Sequence, residues 1–271
     1  MTRSELSLAR IRTLADSLSD RDRLILDAVG RVRLVTGNQL QRLHFTDVSP
    51  RERRRILANL VDKKLLFRLP RVVGGARAGS QGHVFSLGTA AQRLRHSRTA
   101  SGRAKRPWTP GTTFLRHSIA VTEVYTQLVE AERRGELRIR RFEAEPASWR
   151  RFVGRGANRL CLRPDAYIEL GLTNGSGGRE HRDHWYLEVD LSTESSSTLH
   201  RKCELYRQYW RTGQEESAIG AFPLVLFAVI DEQRKGTVID VLGRQPAESW
   251  PLFTICLLDD VVTKLQRGAG S

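Results

Sequence analysis

From Phe222 to Ile230 the chain runs Phe-Pro-Leu-Val-Leu-Phe-Ala-Val-Ile without a polar side chain. A strand with one wet face alternates, whereas a strand apolar on both faces belongs inside a sheet covered on both sides. The C-terminal half must therefore hold a layered unit of helices and strands. The neighbouring periodicities supply the rest of it. Residues 113–135 place Phe114, Ile119, Val121, Val124, Leu128 and Val129 at helical spacing, and Gly135 ends the helix. Leu137–Phe142 alternates as a first strand. After Trp149 and a basic loop, Leu160–Leu170 reads as a second strand. A Gly-rich loop leads to a third, Trp185–Leu191, and a helix over roughly 197–211 precedes the apolar strand.

The N-terminal half follows a different rhythm. Ser19 opens a helix with Leu24, Ile25, Ala28, Val29 and Val32 on one face. Thr36-Gly-Asn-Gln39 has the form of a capping box, with Leu40 and Leu43 turned inward. At a third helix Ser49 caps, Pro50 takes the first helical position and Glu52 returns the capping bond, while Ile56, Leu57, Leu60 and Val61 form the buried stripe. Residues 65–73 and 83–87 read as strands joined by the Gly-rich loop 74–82. Three short helices followed by a hairpin with a basic tip is the order of a winged helix-turn-helix.

Charge points the same way. Residues 1–110 hold 23 basic and 8 acidic side chains, and the remainder holds 22 of each, so the whole excess of +15 lies in the first part. A concentrated positive field suits a polyphosphate, because each neutralised phosphate releases a counterion. The outer face of the third helix presents Arg51, Arg53, Arg54, Arg55 and Asn59. Arginine offers a fork to guanine or phosphate, asparagine suits adenine, and a recognition helix reads bases near its N-terminus. Arg77 at the hairpin tip would enter a minor groove or touch phosphate. Double-stranded DNA is the expected partner.

No run of 18 apolar residues occurs and the first twenty residues lack the apolar core of a signal peptide, so no membrane association is expected. Cys161, Cys203 and Cys256 are odd in number and show no C-x-x-C pair, which fits a reduced cytoplasmic protein without a zinc site. The expected domains are 1–95, a basic linker over 96–112 in which Trp108 would dock on a domain, and 113–271. The Gly-rich stretches 74–82 and 171–178 lack the lysine of a P-loop and read as turns.

Carboxylates mark the candidate chemistry. Glu188 and Asp190, two apart on a strand, share a face. Asp165 lies about as far before the middle of the connecting loop as Glu188 lies after it, so a simple hairpin would make them neighbours. Three carboxylates on one face repel one another unless a cation joins them, and Mg²⁺ or Mn²⁺ held by Asp165 and Glu188 would do so. An ion held in this way activates water for phosphodiester hydrolysis.

Pro164-Asp165 followed by Glu188-x-Asp190, in helix, three strands, helix, strand order, resembles the PD-(D/E)xK nuclease superfamily. With the N-terminal winged helix, strings such as RLILDAVGRVRLVTGNQL and FLRHSIAVTEVY resemble the replication-relaxation proteins of actinobacterial plasmids and mobile elements, from about residue 20 to 260. The resemblance implies an α+β protein: a winged helix-turn-helix followed by an α/β restriction-endonuclease-like domain with a central mixed sheet. It implies a part in plasmid replication or DNA relaxation, with a homodimer and other replication or relaxation proteins as further partners, and nucleoid or plasmid association in the cytoplasm. The superfamily's usual lysine is replaced by Asp190. Lys202, with Tyr206 four residues on and Tyr209 beside it, resembles the Gln-x-x-x-Tyr of RecB-like nucleases with Lys for Gln. Asp165, Glu188, Asp190 and Lys202 are the expected catalytic set. Glu123 and His117 are side candidates, read more readily as ordinary helix residues. A metal-dependent nickase or endonuclease stands against a non-catalytic DNA-binding factor with a degenerate nuclease-like domain. A repressor with a sensor domain is the third alternative, and it needs an apolar pocket the sequence does not announce.

Overall fold

The computed structural model describes residues 13–70, 82–98, 109–173 and 180–268. Arg77, nearly all of the loop 74–82, most of the linker with Trp108, and positions 174–179 lie outside the described residues. The fold is mixed α+β, in two compact units, Met1–Thr122 and Glu123–Ser271. The long helix α5 contributes residues to each.

In the first unit the order is α1 (Asp20–Val32), β1 (Val35–Thr36), α2 (Gly37–His44), α3 (Pro50–Asp62), β2 (Leu66–Arg68), β3 (Val84–Leu87) and α4 (Thr89–Arg98). The helix starts are set by the capping residues. The Ser19 hydroxyl accepts from Asp22 N, and Asp22 returns the bond to Ser19 N. Thr36 and Gln39 form the same reciprocal box, buried, with Gln39 Nε2 also donating to Ile119 O at 3.1 Å. Ser49 caps α3 and Pro50 occupies its first turn, but Glu52 does not return a bond. Its carboxylate turns to Arg55 instead. Leu57 and Leu60 are buried on α3, with Ile56 and Val61 at the edges. On α1 the buried set is Ile25, Leu26, Ala28, Val29 and Val32; Leu24 is 58% exposed and Leu26 is buried in its stead.

The three strands form an antiparallel sheet in the order β1-β3-β2. Gly88, just beyond β3, allows a close approach: a Cβ there would lie 2.2 Å from the Lys64 carbonyl oxygen. Thr36→Ala should cost about 1–2 kcal/mol, because it leaves the buried Gln39 backbone N–H without the hydroxyl that accepts from it. Urea unfolding measures this, and an unchanged midpoint would show that the box does not hold α2.

The second unit comprises residues 123–133 of α5 (Thr112–Arg133), β4 (Arg138–Ala144), β5 (Arg150–Val153), β6 (Arg159–Leu162), β7 (Ala166–Thr173), β8 (Glu180–Asp190), α6 (Ser196–Trp210), α7 (Gln214–Ile219), β9 (Leu224–Val229), α8 (Glu232–Gly243), β10 (Phe253–Leu257) and α9 (Val261–Gln266). Its main sheet runs β10-β9-β8-β7-β4, with β10, β9 and β8 parallel and β8, β7 and β4 antiparallel. Val225–Val229, from the apolar run, are fully buried in β9, inside the sheet. The stretch 160–170 is two strands, not one: Arg163-Pro164-Asp165 interrupts it, and β6 pairs with β5, from the stretch expected to be a basic loop.

One sheet face, carrying Phe142, Ile168, Trp185 and Leu187, meets α5 through Tyr125, whose ring lies 4.9 Å from that of Phe142. The other face packs on α6 and α8 through Leu199, Cys203, Tyr206, Val238 and Val241. Strand alternation then puts His184, Tyr186, Glu188 and Asp190 of β8 together on the α6 face, with apolar Trp185, Leu187 and Val189 on the other.

Candidate functional site: a buried polar stripe on a central strand

A buried polar group costs several kcal/mol unless it is paired, so each member of the β8 stripe should own a partner. Each does, and each partner comes from a different place. His184 Nδ1 lies 2.8 Å from the Tyr167 hydroxyl on β7. Tyr186 donates to Glu215 Oε1 on α7; the same oxygen accepts from Tyr209 at 2.7 Å and from Arg150 Nε at 2.9 Å. Burial alone would raise Glu215, but those three hydrogen bonds outweigh it and hold its carboxyl below the usual range. Tyr209, expected beside Lys202 and Tyr206, thus serves a separate cluster.

Glu188, 2% exposed, is the centre of the stripe. Lys202 Nζ donates to its Oε2 at 2.8 Å and the Tyr206 hydroxyl to its Oε1 at 2.5 Å. Both donors come from α6, whose four-residue spacing presents them on one face. Lys202 also reaches Glu194 at 3.1 Å. The register that sets Ala166 opposite Leu187 continues by one residue, so Asp165 stands opposite Glu188. Asp165 N donates to Leu187 O at 3.0 Å, and its Oδ2 accepts from Val189 N at 2.7 Å. Burial pushes Glu188 up to about 7; Lys202 opposes that shift and the Asp165 charge adds to it. For Lys202, burial works against the charge, yet Glu188, Asp165 and Glu194 outweigh it and hold its proton well above the usual range.

Asp190 faces a different cation. Arg234 of α8 binds its Oδ2 through Nε at 2.8 Å and the terminal nitrogen at 2.7 Å, while Ser192 N donates to Oδ1 at 2.8 Å. Arg234 also donates to the Glu194 carbonyl at 2.7 Å. The mutual repulsion expected of the carboxylates is therefore answered by two protein cations, Lys202 for Glu188 and Arg234 for Asp190. His117 falls in the first unit, and Glu123 is not among the main groups acting on Glu188.

Asp165, just before β7, and Glu188 on β8 are carboxylates of the kind that hold a hard cation, and an ion between them would share the Glu188 oxygens with Lys202 and Tyr206. Among the described residues no group of three or more His, Cys, Asp or Glu is arranged to hold a metal ion, so such an ion would draw on these two carboxylates and water.

In the first unit Arg51, Arg54, Arg55 and Asn59 are exposed on α3. Arg53 is half-buried and donates to Gln41 of α2, and Arg55 is ion-paired with Glu52 at 2.7 Å. Among the described residues Arg51 and Arg54 are thus the α3 arginines outside such side-chain pairs, Arg54 donating to the Pro50 carbonyl at 3.2 Å. Arg150, Glu194, Glu215 and Arg234 escaped the sequence reading. The alternation His184-x-Tyr186-x-Glu188-x-Asp190 signals that such partners are needed, without saying where they lie.

These features define a class, a two-unit α+β protein whose second unit buries a carboxylate–lysine–tyrosine cluster on its central sheet. By sequence, the chain belongs to the replication-relaxation family, whose match covers residues 26–225. No curated protein and no solved structure matches it. Among the described residues no helix is long and apolar enough to cross a membrane.

Proposed function

We propose that this member of the replication-relaxation family binds double-stranded DNA through the first unit, a winged helix-turn-helix, and nicks or cuts it with the second, a PD-(D/E)xK nuclease-like unit. The setting is replication or relaxation of a plasmid or mobile element, in the cytoplasm on plasmid or nucleoid, together with a second copy of the chain and other replication or relaxation proteins. The order α1-β1-α2-α3-β2-β3, with its three-stranded antiparallel sheet, supports the winged-helix reading. In that reading α3 enters the major groove with Arg51 and Arg54 leading, and Arg55 and Asn59 following.

The observation that carries the catalytic part is the convergence of Asp165, just before β7, Glu188 of β8 and Lys202 of α6. Mg²⁺ or Mn²⁺ bound by Asp165 and Glu188 would supply Lewis-acid activation of water. Lys202 keeps its proton and offers a positive charge to the phosphate, the part the superfamily assigns to a lysine at the position of Asp190. Tyr206 orients Glu188. Asp190 ties β8 to α8 through Arg234 and holds the end of the strand that carries Glu188.

Supercoiled plasmid incubated with the protein and Mg²⁺ or Mn²⁺, beside Glu188→Gln, tests this. Nicked or relaxed product from the wild type alone is expected. A second reading, the non-catalytic factor, draws on the fact that both Glu188 oxygens are already taken by Lys202 and Tyr206. Plasmid bound but uncut by either protein would decide for it.

A further inference from the structure

Charge is unevenly spread within the neutral second half. Residues 147–164 contain five arginines, Arg150, Arg151, Arg155, Arg159 and Arg163, and no acidic residue. This stretch forms the antiparallel ribbon β5–β6, with Arg151 opposite Cys161 and Val153 opposite Arg159. Strand alternation divides it into two faces of opposite character.

The inner face is fully employed. Phe152 lies 5.1 Å from the Tyr209 ring, and Leu160 and Leu162 pack on the same core as α6. Arg150 turns inward to Glu215, its guanidinium 5.0 Å from the Tyr167 ring and 5.6 Å from that of Tyr186. The ribbon is thereby fixed on the second unit. Its turn is tight: Gly154 N donates to Asn158 O at 2.8 Å, and Gly156 takes φ +74°.

Among the described residues the outer face packs on no core of the fold. Arg151, Arg159 and Arg163 are exposed, and Val153 is 59% exposed among them. Arg163 lies over the Trp149 ring at 4.9 Å, and none of the three forms an ion pair among the described residues. Arg151 and Arg159 are diagonal neighbours, so like charges crowd one face of a two-stranded ribbon at a cost to stability. A polyanion reverses the sign of that cost. The ribbon also runs directly into the candidate site, since Arg163 is two residues from Asp165.

We propose that the outer face of the β5–β6 ribbon is a second DNA-binding surface, on which Arg151, Arg159 and Arg163 hold the phosphodiester backbone beside Asp165 and Glu188. A two-stranded ribbon is of a size that the major groove admits. The proposal rests on the DNA-binding reading above and adds to it a DNA-binding face in the unit whose net charge gave no sign of one.

The test is the salt dependence of binding of the full chain to a labelled duplex of arbitrary sequence. Arg151→Ala with Arg159→Ala should lower the slope of log K against log salt by about 1.8, roughly 0.9 for each phosphate no longer neutralised. The melting temperature should not fall, because both side chains are exposed and their removal relieves like-charge crowding, and Arg151→Lys with Arg159→Lys should keep the wild-type slope. Arg51→Ala with Arg54→Ala on α3 is run alongside. A slope lowered by the α3 pair and untouched by the ribbon pair would overturn the ribbon surface while leaving the DNA-binding reading standing. A wild-type chain that does not bind the duplex would overturn both.

Discussion

Replacing Arg234 by Met should destabilise the second unit by about 3–5 kcal/mol, because Asp190 is left as a buried carboxylate with no counter-charge, held only by the Ser192 amide. The two side chains are 10% and 4% exposed, so water cannot take the place of the guanidinium. The change also deletes the bond to the Glu194 carbonyl. For a unit of this size the loss corresponds to a fall in melting temperature on the order of 10 °C. A second substitution separates charge from packing. Arg234→Met together with Asp190→Leu removes both charges, and an apolar pair of similar volume commonly matches a buried ion pair in stability. The double variant should recover most of the loss. A double variant as unstable as the single one would show that Arg234 acts through packing and not through Asp190.

Lys202→Met should produce a cost that depends on pH. Glu188 titrates at about 7 in the folded chain against a usual 4.5, with burial as the first cause. A carboxyl whose folded value is raised contributes its stability fully below about 4.5 and loses it as pH rises through about 7. Lys202 is the main charge opposing the rise. Without it Glu188 holds its proton to still higher pH, and the loss continues where the wild type has levelled off. The difference between the two proteins should be smallest near pH 6, where only the contacts to Glu194 and the Asp165 charge are lost, and should grow by up to about 1.4 kcal/mol per unit above about pH 7. It should approach the roughly 3–5 kcal/mol of a broken buried pair. Urea unfolding across that range reads it directly. An equal cost at every pH would mean that Lys202 does not neutralise Glu188.

Much of the candidate site could be read because a hairpin is arithmetic. Once two strands share a loop, residues equidistant from its middle face one another, which set Asp165 opposite Glu188. Helical spacing likewise placed Lys202 and Tyr206 together on one face of α6. The β5–β6 ribbon was missed because its arginines mask a period of two. Arg150 faces inward, where a charge is unexpected, and its counter-charge there is Glu215, 65 residues on. Glu52 was given a capping role that its neighbour took away, since Arg55 offers a full charge where the helix end offers an amide.

The sequence by itself determined the helix starts, the apolar β9 inside the sheet, the polar alternation of β8 and the concentration of charge in the first part. Each of these is decided within a few residues, by capping geometry, side-chain period or composition. Tertiary structure alone decided which cation answers which carboxylate. Asp190 meets Arg234 from 44 residues away, and Glu188 meets Lys202 from 14. The packing of α8 on β8 gave Asp190 to an arginine, and that choice is invisible to local sequence because it depends on where a distant helix lies.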